Sequence, residues 1–285
     1  MVGQPEARPL PRTHELRGAA VGWVGGETPE ELADSAAEQV AKGMTAVKLN
    51  PCGQLEPLAT PAAINAIVDG VTAVREAIGP ERDLALDFHG RFSGAMSRRV
   101  LPLLEPLLPL FVEEPVLPEF SQDLGAVVRS TSIPIATGER LYSRWDFRSM
   151  LSDGIAVAQP DISPAGGISE TRRIAAMAEA YDVMVAPHCP LGPIALAASL
   201  QLDFAIPNFL IQEQALGIGY GDSRGLLDYL ADTTPFTFRD GYIERPAAPG
   251  LGITIDEDAV RAAAERGHRW RNPVWRNADG SLASW

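Results

Sequence analysis

The chain has 285 residues, 46% of them hydrophobic and 21% charged, with a formal net charge of −13 at neutral pH. This is globular composition and excludes a disordered chain; the acidic balance, with no basic patch to offset it, excludes nucleic acid and anionic membrane as partners. Cys52 and Cys189 are too few for a disulfide framework, and neither a signal-type apolar region nor an apolar run of membrane-spanning length occurs, so a cytoplasmic protein with reduced thiols is expected.

In chain order, residues 1–18 read as a loosely ordered leader. From residue 19, short apolar runs alternate with segments of helical period. The runs cover 19–24, 45–49, 84–86, 110–112, 133–137, 155–159, 183–186 and 209–211. Between the first two, Thr28 suits an N-cap, Pro29 the first helical turn and Gly43 the stop, and Thr60, Pro61 and Gly79 repeat that grammar. Eight rounds of strand and helix predict a parallel α/β barrel over residues 19–214. Residues 215–285 form a C-terminal extension: a hairpin around Asp240 and Gly241, a helix over 256–267 capped at Asp256, and an irregular tail rich in Trp and Arg.

An ionisable residue follows six of the eight apolar runs: Asp87, Glu113, Glu139, Asp161, His188 and Glu213. They recur about one βα unit apart, and the C-terminal ends of barrel strands share one face, so the six converge on one mouth. Asp87, Glu113 and Glu139 can crowd together only if a cation offsets their repulsion, and three hard oxygen donors favour Mg²⁺ first and Mn²⁺ second. Asp161 and His188 sit at neighbouring strand ends, where the carboxylate holds one ring nitrogen and leaves the other free as a base. His89, two residues beyond Asp87 and so on the same strand face, is placed to supply a proton from another direction. Metal, base and acid on one floor suit removal of a proton α to a carboxylate followed by loss of a β-hydroxyl.

These residues lie in stretches that carry a family likeness. "LDFHGR", "FVEEP", "GER", "QPDIS" with "AGGISE", "APHCPLGPIALA" and "QEQ" resemble, in order and spacing, the mandelate racemase group of the enolase superfamily. The resemblance covers most of residues 19–285. It implies a (β/α)7β TIM-like barrel, with Asp87, Glu113 and Glu139 as Mg²⁺ ligands, His188 as the base supported by Asp161, and His89 as the acid. Glu213 is then hydrogen-bonded to the substrate carboxylate or enolate, and Lys48, Asn50 and Arg91 are candidate substrate-binding residues. A His base with Mg²⁺ stabilising an ene-diolate is that superfamily's own pattern. The implied reaction is dehydration of an acid sugar, D-galactonate, to its 2-dehydro-3-deoxy acid, by a symmetric homo-oligomer. Racemases of the group carry Lys-x-Lys on the second strand; here Lys48-Leu49-Asn50 leaves no second base there, which favours elimination over racemisation.

One departure stands out. Members of the group begin with an α+β capping domain that closes over the substrate, and this sequence starts near the first barrel strand. Three readings stay open: a dehydratase for D-galactonate, one for another aldonate or sugar diacid, or an impaired barrel acting as a binding or assembly subunit. Without a cap, Phe236, Phe238 and Tyr242 are expected to be exposed.

Other residues carry plainer expectations. His14 and His268 read as surface residues, Cys189 as packing and Cys52 as incidental. Gly166 and Gly167 suit a tight turn more than an anion site. Arg91 and Arg140 either contact substrate oxygens or pair with the surplus carboxylates. Lys48 either reaches the metal-bound carboxylate or neutralises the acidic floor.

Overall fold

The computed structural model describes residues 17–53, 55–216, 227–266, 274, 276 and 280. His14, His268, nearly all of the leader and most of the tail lie outside the described residues. The chain runs β1 (Arg17–Ala19), β2 (Gly22–Trp23), α1 (Pro29–Ala41), β3 (Ala46–Leu49), α2 (Pro61–Ile78), β4 (Asp83–Asp87), α3 (Gly94–Leu104), β5 (Phe111–Glu113) and α4 (Leu124–Val128). It continues through β6 (Ile135–Thr137), α5 (Arg144–Asp153), β7 (Val157–Ala158), α6 (Ile168–Glu179), β8 (Met184–Val185), α7 (Pro193–Asp203), β9 (Phe238–Arg239), β10 (Tyr242–Glu244) and α8 (Glu257–Arg266). Among the described residues, no helix is long and apolar enough to cross a membrane.

The local grammar explains where helices begin. Thr28 accepts from the Glu31 amide while the Glu31 carboxylate accepts from the Thr28 amide, a capping box worth about 1 kcal/mol. Thr60 accepts from Ala63 in the same way, and Asp256 accepts from Ala259 ahead of α8. Gly166 and Gly167 form a turn before α6, with the Gly167 amide donating to Ile162 O.

β2 to β8 form one parallel seven-stranded sheet in sequence order. The expected eighth strand, 209–211, joins only by isolated bridges at Phe209 and at Gln212 just beyond it. Leu210 N donates to Val185 O at one edge, and Val21 N donates to Gln212 O at the other, which curls the sheet toward closure. The α/β barrel is therefore as expected. The first run divides, however. β1 leaves the barrel to pair with β10 and β9 in a small antiparallel sheet, so Arg17 and Gly18, expected in the leader, are ordered strand.

The β9–β10 hairpin turns on Asp240 and Gly241, both at positive φ, as the two-residue turn demands. A Cβ on Gly241 would come within 2.8 Å of Thr45 Oγ1, so only glycine fits this turn against the barrel. This packing corrects one expectation. Phe236 is buried with Cys189, Leu196 and Leu200 of the α7 region, Phe238 is half-buried, and of the three aromatics only Tyr242 is exposed. The extension covers its own apolar surface against α7.

A layer of the barrel interior sets up the site. Val21, Ala46, Ala85, Phe111, Ala136, Val157, Ala186 and Ile211, one per strand position, pack together as an apolar cluster. Side chains two residues apart on a strand share a face, so the next position up each strand points into the same lumen. Those positions are Trp23, Lys48, Asp87, Glu113, Gly138, Gln159, His188 and Glu213.

Candidate active site

At the centre of that ring is Lys48, buried on β3. Its Nζ lies 2.5 Å from Glu113 Oε2, 3.0 Å from Glu213 Oε1 and 3.8 Å from Asp87 Oδ2, and 4.9 Å from the centre of the Trp23 ring. Burial alone would lower the Lys48 pKa; the three carboxylates outweigh it and hold the amine protonated well above its usual range. Burial likewise pushes Asp87 and Glu113 up, with Lys48 opposing. Glu213 ends below its usual range: burial raises it, but Lys48, His188 and the Cys189 amide hold its charge.

His188 and Asp161 meet as expected, with Nδ1 2.9 Å from Asp161 Oδ2. Burial lowers the imidazole pKa, but the Asp161 hydrogen bond and the charges of Glu213 and Glu139 carry it up to about 9. His188 Nε2 faces Glu139 Oε2 at 3.4 Å. From the other side His89 Nε2 approaches Glu139 Oε1 at 3.5 Å. Burial lowers the His89 pKa, partly opposed by Asp87 and Glu139.

The route by which His89 arrives differs from the expected one. β4 ends at Asp87, and His89 has φ +50, so it sits on a turn rather than continuing the strand face. Its amide donates to Asp87 Oδ1 at 2.8 Å, and this local bond folds the turn back over the carboxylate. Among the described residues, the atoms within 4.8 Å of one another that suit a cation come from Asp87, His89 and Glu139. Glu113 adjoins them but is drawn aside: Lys48 and Gln159 Nε2 both engage its Oε2. Its other oxygen, Oε1, is buried with no hydrogen bond among the described residues, as is Glu139 Oε2. Buried carboxylate oxygens lacking donors are costly, and hard oxygen donors in that state fit a divalent cation.

The remaining candidates sit around the floor. Asn50 Nδ2 donates to Asp87 O at 3.0 Å, and the Arg91 guanidinium donates to Cys52 O, so both brace loops at the mouth. Arg140 pairs with Glu139 at 3.2 Å and donates to His89 O. Cys189 is packed, and burial pushes its thiol up to about 12, which removes it as a nucleophile. The sequence reading missed Gln159, Trp23 and Glu114. The first two were findable by the same step of two from the apolar layer. Glu114 is buried, which carries its pKa to about 7 with Glu139 adding to the rise.

Residues 31–259 match the family described as Enolase C-terminal domain-like. D-galactonate dehydratases from Variovorax paradoxus and Ralstonia pickettii are 48% and 47% identical over 264 residues, 92% of this chain and 69% of each relative. A mandelate racemase/muconate lactonizing enzyme from Jannaschia sp. CCS1 superposes with a TM-score of 0.80 at 32% identity, covering 91% of this chain and 68% of that one. A member of the enolase superfamily from Salmonella Typhimurium gives 0.77 at 29% identity, covering 86% and 67%. The chain therefore belongs to the enolase C-terminal domain-like family, in the mandelate racemase group of the enolase superfamily. Within that family its place is with the dehydratases, carbon–oxygen lyases that expel water.

Proposed function

We propose that the chain dehydrates an acid sugar, D-galactonate, to 2-dehydro-3-deoxy-D-galactonate, with Mg²⁺, or Mn²⁺ in its place, held by Asp87, Glu113 and Glu139. The observation that carries this reading is the placement of two imidazoles on opposite oxygens of one carboxylate, His188 on Glu139 Oε2 and His89 on Oε1. Such an arrangement offers a base and an acid to neighbouring carbons of one bound substrate. A cation bound there supplies positive charge to the substrate carboxylate as its α-carbon gives up a proton.

The chain's own groups do the rest. Asp161 fixes His188 through Nδ1, leaving Nε2 of the neutral ring to take the C2 proton. His89 passes a proton to the C3 hydroxyl as the C3–O bond breaks, so that hydroxyl leaves as water while the C2 proton stays on His188. The enol then tautomerises to the 2-keto acid. Lys48 and Glu213, paired at 3.0 Å, face the carboxylate end of the substrate. Asn50 and Arg91 serve by shaping the mouth through the carbonyls they bind. A homo-oligomeric assembly belongs to the same reading and is measured by light scattering.

The test is to incubate the protein with Mg²⁺ and a panel of aldonates and sugar diacids and to follow 2-keto acid formation by ¹H NMR. D-galactonate turning over fastest supports the reading. A different aldonate or diacid turning over fastest replaces the substrate but keeps the chemistry, and no 2-keto acid from any member of the panel overturns it.

A further inference from the structure

Glu114 follows Glu113 in the chain but points to no partner on the floor. It is 2% exposed, and its backbone has φ +44, a region that costs a non-glycine residue about 1–3 kcal/mol and that persists where the surroundings enforce it. Its amide donates to Ala136 O at 3.0 Å, in register with β6. Its carbonyl accepts from the Gly90 amide at 2.9 Å, just past His89. Its side chain reaches the third strand end: Oε1 accepts from Thr137 Oγ1 and, at 3.1 Å, from the Gly138 amide, just before Glu139.

One residue thus grips the turn after β4 with its backbone and the turn after β6 with its side chain. Gly138 has no side chain to brace that second turn. Its φ is +144, and a Cβ there would lie 2.7 Å from the Phe147 ring. The left-handed residue of the first turn, His89 at φ +50, sits beside the bond to Glu114.

We propose that Glu114 is a positioning residue: by tying the turn after Asp87, which carries the acid His89, to the turn that carries Glu139, it sets the spacing of the cation-holding carboxylates Asp87 and Glu139. This rests on the reading above that Asp87, Glu113 and Glu139 bind a divalent cation. The contribution comes from hydrogen-bond geometry, so an uncharged acceptor of the same shape suffices. Partners one step behind metal ligands contribute 10–100-fold to affinity in general, which sets the size of the effect.

The experiment is Mn²⁺ titration of the full chain by calorimetry, with a thermal melt of each variant. Glu114→Gln, which keeps Oε1 as acceptor, is expected to bind Mn²⁺ within about threefold of wild type. Glu114→Ala is expected to bind at least tenfold more weakly. Thr137→Val, which deletes one donor and keeps the acid, is expected to fall between them and serves if the alanine variant does not fold. The Glu114→Ala/Thr137→Val double variant is expected to bind no worse than Glu114→Ala alone. Variants that melt lower but bind Mn²⁺ as wild type does would make Glu114 a stabilising residue only and overturn the proposal. Glu114→Gln as weak as Glu114→Ala would assign the effect to charge and overturn it too. Wild type failing to bind Mn²⁺ would overturn the cation reading itself, a result distinct from either.

Discussion

Lys48 Nζ lies 2.5 Å from Glu113 Oε2, and neither side chain reaches solvent. The pair has two further carboxylates beside it, Asp87 and Glu213, so the ammonium is the counter-charge of the floor. Lys48→Met leaves those acids facing one another, and removing one partner of a buried pair costs about 3–5 kcal/mol. The sign with pH follows from the acids. Burial already pushes Asp87 and Glu113 up, and losing Lys48 pushes them further, so the variant's deficit is small in acid and grows as pH rises toward neutrality. Urea unfolding at pH 5 and pH 8 measures it. An equal deficit at both would show that Lys48 contributes packing rather than charge.

The two imidazoles are expected to separate the half-reactions. In His188→Asn the group held by Asp161 is gone, and exchange of the substrate C2 proton with deuterium from solvent stops along with dehydration. In His89→Asn the base remains, so exchange continues while dehydration falls by about 10²–10⁴. Proton NMR of the substrate in D₂O reads both. Loss of exchange in the His89 variant would end the separate roles.

A cation bound only by the native floor stabilises it by mass action, about 2.7 kcal/mol at a hundred times Kd. The melting temperature is expected to rise with millimolar Mg²⁺ and to return with EDTA. Asp87→Asn, which takes charge from the Asp87, His89 and Glu139 group, is expected to lose the rise. A melting temperature that ignores Mg²⁺ in the wild type would remove the cation from the mechanism.

What the sequence made legible follows the range of the interaction concerned. Thr28, Pro29 and Gly43 announce α1 because capping and termination are decided within a few residues. The polar strand ends were legible because a parallel sheet repeats one register: Ala46 to Lys48 and Ala186 to His188 are the same step of two. His89 does not lie on the strand face that periodicity predicts, since its φ of +50 goes with an Asp87 side-chain bond that no periodicity records. Gln159 escaped notice because an amide at a strand end looks like loop polarity until Glu113 is seen across the lumen. The burial of Phe236 escaped because its partners on α7 lie far back in the chain.

Asp203 is the last residue of α7 and is 4% exposed, yet among the described residues neither of its carboxylate oxygens has a hydrogen bond. Burial alone raises its pKa well above the usual value, and the C-terminal end of a helix adds a further penalty for negative charge. A raised folded-state pKa means that the native chain holds a proton the unfolded chain has released. The stability this group supplies is therefore complete below about pH 4, its unfolded range, and is lost as pH climbs toward the folded value. Asp203→Asn removes the titration and keeps the shape. Near pH 4, where both side chains are neutral, the two proteins are expected to unfold at similar urea concentrations. By pH 8 the variant is expected to lead by on the order of 1 kcal/mol or more. The difference should widen as pH rises from 4 toward the folded value, because over that range each added pH unit costs the wild type alone. A gap that stays constant from pH 4 to pH 8 would mean that Asp203 finds a partner for its charge.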